Sequence, residues 1–332
     1  MAVETILENL PDKQKAKIKH GSQPEWTFPM LAKLTHDYFS DEEWIYERKF
    51  DGERCLVFKK GENARLMSRN RKDISDTYPE VEEEFSKQGA DFVVDGEIVA
   101  FSGDVTSFSR LQERMKIKDR DEAWKSNVAV YYYAFDLIHI GDYDITGVNL
   151  RHRKSLLRKA LEFTNRVRFT AHRNKNGEEY HKEACRKGWE GIIAKNAASE
   201  YLHSRSGKWL KFKCANQQEF VIGGYTEPRG ERIGFGAILI GYYEGGSLRY
   251  AGKVGTGYDD ATLKDLKSKF NARERKTSSF DSPPSESNIH WLKPDLVAEI
   301  GFTEWTDGGK LRHPRYLGLR RDKSAKNVVR EG

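Results

Sequence analysis

The chain has 332 residues, 37% hydrophobic and 33% charged, with 57 basic against 51 acidic side chains and a formal net charge of +6. At roughly 100 to 200 residues per domain this allows two domains with real cores, and no apolar run approaches the roughly 18 residues that a membrane span needs. The modest basic excess suits a polyanionic partner, although an ordinary charged surface has the same balance and charge alone names no partner. Cys55, Cys185 and Cys214 are odd in number and scattered, with no CxxC pair. Such spacing argues against a disulfide framework and against a zinc site, and it fits a reducing cytoplasm. The first twenty residues, "MAVETILENLPDKQKAKIKH", lack the apolar core of a signal peptide.

In chain order, the predicted elements begin with a polar segment holding a short helix, then "FPMLAKL", an apolar patch expected to pack beneath the first domain. From Trp44 the chain becomes strand-rich: "WIYERKF", "ERCLVFKK" and "ARLMSR" read as short strands joined by Gly or Asn turns. "YPEVEEEFSKQ" has the spacing of a surface helix. "DFVVDGEIVAF" and "VAVYYYAFDLIHI", β-branched and aromatic, read as buried strands. "FSRLQERM" between them and "LRHRKSLLRKALEF" after them read as helices, and the α+β domain ends near "WLKFK". A second strand series runs through "EFVIGGYTE", "FGAILIGYYEG" and "LRYAGKVGT", with a helix at "DDATLKDLKSKF". The polar run "RKTSSFDSPPSES" reads as an exposed loop before the strand "PDLVAEIGFTEWT". Five strands and one helix suit an OB-fold barrel.

Chemistry concentrates in "YERKFDGERC", where Lys49 stands between Glu47 and Asp51 and is followed by Gly52 and Arg54. A protonated lysine is a poor nucleophile, so a catalytic one needs desolvation or neighbouring cations; Arg54, Lys211 and Lys213 are the candidates. A lone lysine is most often a solvated strand residue. Context changes that reading. The pattern Lys-x-Asp-Gly-x-Arg is followed in order by "SRN" with Arg69, "DGEIVAF" with Glu97, "YAFDLI" with Phe135, "EGIIAK" with Glu190 and Lys195, "WLKFK" with Lys211 and Lys213, and "LRRDK" with Arg320, Asp322 and Lys323.

This series resembles the motifs of covalent nucleotidyltransferases, and within them the ATP-dependent DNA ligases, closest to the ligase module of bacterial non-homologous end-joining ligase D. The resemblance runs over nearly the whole chain. It implies an α+β architecture: an adenylation domain with antiparallel sheets at 1–215 and a C-terminal OB-fold β-barrel at 216–332, a minimal two-domain enzyme. It implies sealing of nicked or broken duplex DNA in three phosphoryl displacements: Lys49 captures AMP from ATP, passes it to the DNA 5′-phosphate, and the 3′-hydroxyl then expels it.

By the same resemblance Glu47 meets the adenine amino group, Phe135 stacks on the base, and Arg54 and Glu97 hold the ribose region. Without that context a Phe inside "YYYAFDLI" is more often core than base platform. Glu97 and Glu190 are implied partners of Mg²⁺ or Mn²⁺, a hard ion that takes few carboxylates plus phosphate and water. Lys211 and Lys213 alternate with apolar residues and so share one strand face, where they could neutralise the α-phosphate, with Lys195 in support. Arg69 matches the nick 5′-phosphate position. Arg320, Asp322 and Lys323 are implied to orient the departing pyrophosphate during the first step, which predicts a hinge, placed at "CANQQEF", Cys214 to Phe220. Implied too are a monomer in the bacterial cytoplasm, close to the nucleoid, with Ku and a repair polymerase as partners and no membrane.

The stretch "GSLRYAGKV" fails as a phosphate loop on spacing, and Val254 stands where a hydroxyl is required. The nine histidines show no HExxH motif and no Cys/His cluster in sequence. "RHRKSLLRK" and "RERK" read as the charged outer faces of helices rather than phosphate tracks. Two rival functions share part of the pattern: an RNA ligase or mRNA-capping guanylyltransferase, with the same lysine chemistry, and a non-catalytic nucleic-acid-binding module.

Overall fold

A computed structural model of the protein describes residues 3–214, 216–228, 230, 232–286 and 288–331. The chain divides into two compact units, 1–214 and 215–332. Within the first unit, Glu53–Lys60 forms a hairpin with Asn63–Ser68 and pairs antiparallel with Phe92–Ser102, which pairs antiparallel with Val130–Ile140. Alternation puts Val57, Val94, Ile98 and Tyr132 on one face, where they are covered by Val81 and Phe85 of helix Pro79–Ser86, Leu111 of Phe108–Met115 and Leu157 of Leu150–Ala160.

The second sheet of this unit has the order His172–Arg173, Trp44–Lys49, Gly191–Asn196, Arg205–Lys213, Leu31–Leu34. Its register decides where the chemistry lies. Residues directly opposite one another share a face, so Ile45, Lys195 and Trp209 form one row, Glu47, Ile193 and Lys211 a second, and Lys49, Gly191 and Lys213 a third. The alternate residues Tyr46, Ala194, Ile192 and Phe212 turn the other way and pack with Tyr180 and Ala184 of helix Gly177–Arg186. A separate cluster of Met30, Leu56, Phe58, Phe135, Tyr201 and Trp209 joins the charged side of this sheet to the first one. Two pairings are parallel rather than antiparallel: Arg205–Lys213 with Leu31–Leu34, and Val167–Phe169 with Val130–Ile140.

The second unit is an OB-fold domain. Its sheet runs Ser247–Val254, Ile238–Glu244, Asn216–Thr226, Ile289–Phe302, with Arg315–Leu319 also paired to Ile289–Phe302. Helix Asp260–Asn271 turns Leu263, Leu266 and Phe270 into the core, and the side chain of Asp259 caps its first turn by accepting from the Thr262 amide. Pro294 is tolerated inside a fourteen-residue strand because the ladder to Asn216–Thr226 breaks register between Ile222 and Gly224, opposite it. Ser247–Val254 is a strand, as its failure as a phosphate loop requires.

Some expectations are corrected. Cys185 and Cys214 are joined in a disulfide, because sheet register carries the end of Arg205–Lys213 across helix Gly177–Arg186; a 29-residue separation leaves no motif to read. Cys55 is a buried free thiol. In the segment Cys214–Phe220, where a hinge was expected, the boundary between the units falls after Cys214, while Asn216 to Phe220 pair with Phe302 to Ala298 and Phe220 is in the core. Ala215 lies outside the described residues, as does Ser287 of the polar loop, whose Phe280 is buried and bridged to Leu248. Phe28, read as part of an apolar patch beneath the domain, is 65% exposed, whereas Met30 is buried. Helix Leu150–Ala160 does not carry its charge only outward: Arg153 and Lys154 are buried.

Candidate active site

The chemical face of the five-stranded sheet begins with Lys49, the last residue of its strand. Its ammonium group forms an ion pair with the Glu190 carboxylate, which immediately precedes strand Gly191–Asn196. The sequence pointed to cations as the neighbours of Lys49. Lys213 is indeed in the same row, one strand beyond Gly191, but the ammonium group itself rests on a carboxylate. Between the two lysines a side chain would be in the way. Gly191 has φ +146°, and a Cβ there would collide with the Phe212 carbonyl oxygen, so glycine is required by both backbone and space. Gly191→Val should weaken the folding of this unit by about 2 kcal/mol or more, the scale of strain at such positions. Thermal unfolding should register the loss, and an unchanged melting curve would disprove the role.

Glu47 is the centre of the second group. It is buried and shared by two lysines: Lys154 pairs with one carboxylate oxygen, and Lys195 lies 2.6 Å from the other. The Lys195 contact is one of charge rather than an aligned hydrogen bond. Burial works to raise the pKa of Glu47, but Lys154 and Lys195 outweigh it and hold the carboxyl below its ordinary value, ionised at neutral pH. Burial is also the main influence on Lys195, whose pKa is pushed down to about 8 despite Glu47. Its Nζ lies 4.2 Å from the Phe135 ring centre and 4.0 Å from that of Trp209, so ring quadrupoles replace part of the lost water. His172 lies opposite Glu47 in the sheet; desolvation first, then Lys154, pushes its pKa down to about 4, and the ring is neutral.

A third group joins this face to the first sheet. Arg54 grips Asp95 with two bonds of 2.5 Å and donates to the Met30 carbonyl at 3.1 Å. Asp95 also accepts from the Tyr201 hydroxyl at 2.6 Å. The Arg54 guanidinium lies 4.5 Å from the centre of the Phe135 ring. Burial opposes its charge, but the Asp95 carboxylate prevails and raises its pKa above the ordinary arginine value. Glu97 is directly opposite Arg54 in the ladder. Phe135 sits where the pairing of Phe92–Ser102 with Val130–Ile140 slips between Asp95 and Gly96. Ordinary alternation turns this ring toward Trp209, 6.2 Å away edge to face, after Tyr132 and Ala134 have faced the helical core, and the bulge then returns Leu137 to that core. The ring is buried, so it serves the packing as well as the position that the motif assigns to it.

Lys49, Glu47, Lys195, Lys211 and Lys213 are thus gathered on one sheet face, where the Glu190 carboxylate meets Lys49, with Arg54, Glu97 and Phe135 presented by the other sheet. Arg69 is in the turn after Asn63–Ser68; its neighbour Ser68 is opposite Cys55, which places it level with the start of the Arg54 strand. Arg320, Asp322 and Lys323 belong to the other unit. There Arg320 donates to both Asp322 oxygens at 2.9 and 2.8 Å and approaches Glu299 at 3.5 Å, while Lys323 pairs with Glu219 at 3.1 Å. Asp322 therefore fixes the orientation of Arg320.

Lys154 and Asp95 were missed in the sequence. A signal for Lys154 existed: Leu150, Arg153, Lys154 and Leu157 have the i, i+3, i+4, i+7 spacing of one helix face, so two basic residues fall on the apolar side. Nothing local marks Asp95 apart from its neighbours in "VVDGE".

A family model described as ATP dependent DNA ligase domain matches residues 29–213, and a second, described as ATP dependent DNA ligase C terminal region, matches residues 231–323. The chain belongs to the ATP-dependent DNA ligase family. Among ligase relatives, the multifunctional non-homologous end joining protein LigD of Pseudomonas aeruginosa is 34% identical over 318 residues, 93% of this chain and 37% of that protein. The LigD DNA repair protein of Mycobacterium tuberculosis is 36% identical over 316 residues, 91% of this chain and 40% of its own length. The chain thus spans about two fifths of the length of these curated ligases. A solved structure of mycobacterial DNA ligase D, complexed with ATP and MES, is 32% identical with a TM-score of 0.65, covering 92% of this chain and 98% of that ligase chain.

Proposed function

We propose that the protein is an ATP-dependent DNA ligase that seals nicks or broken ends through a lysyl-AMP on Lys49 and an adenylated DNA, in DNA repair by non-homologous end joining. The observation that carries this reading is the single sheet face on which Lys49, Lys213, Lys211, Lys195 and Glu47 stand in register, with the Glu190 carboxylate against Lys49. Nucleotide binding draws on Glu47, ionised and anchored by two lysines, as acceptor for the adenine amino group, with Phe135, Arg54 and Glu97 about the base and ribose.

In the first step the neutral Lys49 amine attacks the α-phosphorus; the N–P bond forms as the bond to the β-phosphate oxygen breaks, and pyrophosphate leaves. Glu190, in contact with the ammonium group, is the group at hand to receive the proton that the amine sheds. Lys211 and Lys213 neutralise the phosphate charge that builds up during displacement. Glu97 and Glu190, oxygen donors only, fit Mg²⁺ or Mn²⁺, which would supply further neutralisation of phosphate charge. Arg69 serves the nick 5′-phosphate. Nicked or broken duplex DNA is the partner, with Ku and a repair polymerase as protein partners of a cytoplasmic, nucleoid-associated monomer. Among the described residues no helix is long and apolar enough to cross a membrane.

The test is sealing of a labelled nicked duplex with ATP, beside GTP and beside nicks carrying an RNA strand on either side. Labelling of the protein by GTP in place of ATP would refute the reading. We place Arg320 in the first step, acting on pyrophosphate. Arg320→Ala should then slow adenylation of the protein by about 100-fold, the scale of losing one charge-stabilising donor, and spare sealing of DNA that is already adenylated. Equal loss in both assays would remove Arg320 from that role.

A further inference from the structure

Behind the charged face, at the end of the same sheet, stands a group of soft ligand atoms that ligation does not use. His181 and Cys185 are one helical turn apart on Gly177–Arg186, and Cys214 follows Lys213 at the end of its strand. One ligand atom from each of the three lies within 4.8 Å of the others. His181 Nε2 is 3.5 Å from Cys185 Sγ, a spacing that matches the edge of a tetrahedral site with bonds of about 2.0 to 2.3 Å. The imidazole is buried and packs 4.1 Å from the ring of Tyr38. Burial lowers its pKa, so the ring is neutral, as a ligand must be.

One contact must change for Nε2 to bind an ion. It lies 3.2 Å from the Lys213 carbonyl oxygen, but that oxygen also accepts from the Tyr38 hydroxyl at 3.1 Å and stays satisfied without it. The donor set, two sulfurs and one imidazole, selects a soft or borderline metal over Mg²⁺.

We propose that, when the disulfide is reduced, His181, Cys185 and Cys214 form a zinc site with one position left to water, and that oxidation to the disulfide empties it. The exchange balances with a low-molecular-weight disulfide as oxidant: two zinc thiolates lose two electrons and form the Cys185–Cys214 bond, the oxidant's S–S bond breaks to give two thiolates, and Zn²⁺ leaves. Only the three named side chains take part; Cys55 is buried elsewhere. The site's ligand atoms differ in kind from the oxygen donors Glu97 and Glu190, although the Cys214 amide donates to the Glu190 carbonyl oxygen at 3.0 Å.

The experiment uses the full chain, reduced and freed of reductant without air, with Co²⁺ as the probe. Co²⁺ should produce the near-ultraviolet thiolate band and the visible bands of a tetrahedral ion, saturating at one equivalent. Zn²⁺ should abolish them. Oxidised glutathione should release one Zn²⁺ for each disulfide formed, read with a chromophoric chelator. Cys55→Ser should retain the bands, while Cys185→Ser and Cys214→Ser, each checked for native circular dichroism, should lose them. Absence of thiolate bands in the reduced protein, or bands that survive in both folded serine variants, would overturn the proposal. DNA sealing is read separately, so failure here leaves the ligase reading untouched.

Discussion

Lys49→Ala yields protein that never acquires a covalent adenylate when incubated with ATP and a divalent ion. In the row formed by Lys49, Gly191 and Lys213, the Lys49 ammonium group is paired with Glu190, and alanine takes away the nucleophile while leaving the carboxylate and the second lysine in place. Adenylation should fall by at least about 10³-fold, since removing the attacking group from a covalent catalyst leaves only what positioning contributes. Sealing of DNA supplied already adenylated should survive in larger part, because that step needs no amine. Intact-protein mass spectrometry gives the readout. An adduct of unchanged amount in the alanine variant would move the nucleophile elsewhere and dismantle the reading of the whole face.

Asp136→Ala should produce the largest loss of stability. Asp136 and Arg153 are both wholly buried and paired through two bonds of 2.8 Å. Asp136 also accepts from the Leu137 amide, and Arg153 donates to the Ser199 carbonyl at 2.9 Å. Removing the carboxylate strands a guanidinium charge out of water, at a cost of about 3 to 5 kcal/mol. For a unit of this size that lowers the melting temperature by roughly 10 °C. The double change Asp136→Ala with Arg153→Leu should recover much of it, because an apolar pair leaves no charge to solvate. Circular dichroism melts of the three proteins decide. A single variant that melts like the parent, or a double variant no better than the single, would show that the pair is not what holds helix Leu150–Ala160 to its strand. The neighbouring residue on that helix is Lys154, so adenylation should weaken along with stability as Glu47 loses part of its anchor.

Legibility in the sequence followed the range of the forces involved. The strands around Lys49, Glu97, Phe135 and Lys211 could be read because alternation is local, and the order of the motifs placed them on elements that the fold realises. The OB-fold strands and the helix Asp260–Asn271 were legible for the same reason. What could not be read depends on partners distant in the chain. Cys185 and Cys214 looked unrelated because sheet register, and no spacing, brings them together. Lys154 was assigned to solvent since charge alone suggested it, although the leucines on the same face pointed inward. The hinge segment was placed on polarity, and the boundary between the units does fall within it, after Cys214, but polarity did not reveal that a strand pairs Asn216, Gln217 and Gln218.

The alternation of the Glu47 strand and its neighbours has a consequence for how such an enzyme can change. Reactive lysines and core aromatics follow one another on a single thread, Lys211 beside Phe212 and Phe212 beside Lys213. Loss or gain of one residue anywhere in that thread would turn rings toward substrate and ammonium groups toward the interior at one stroke. Drift in this part of the chain is therefore confined to exchanges of letter for letter, while changes of length are pushed out to the connecting loops.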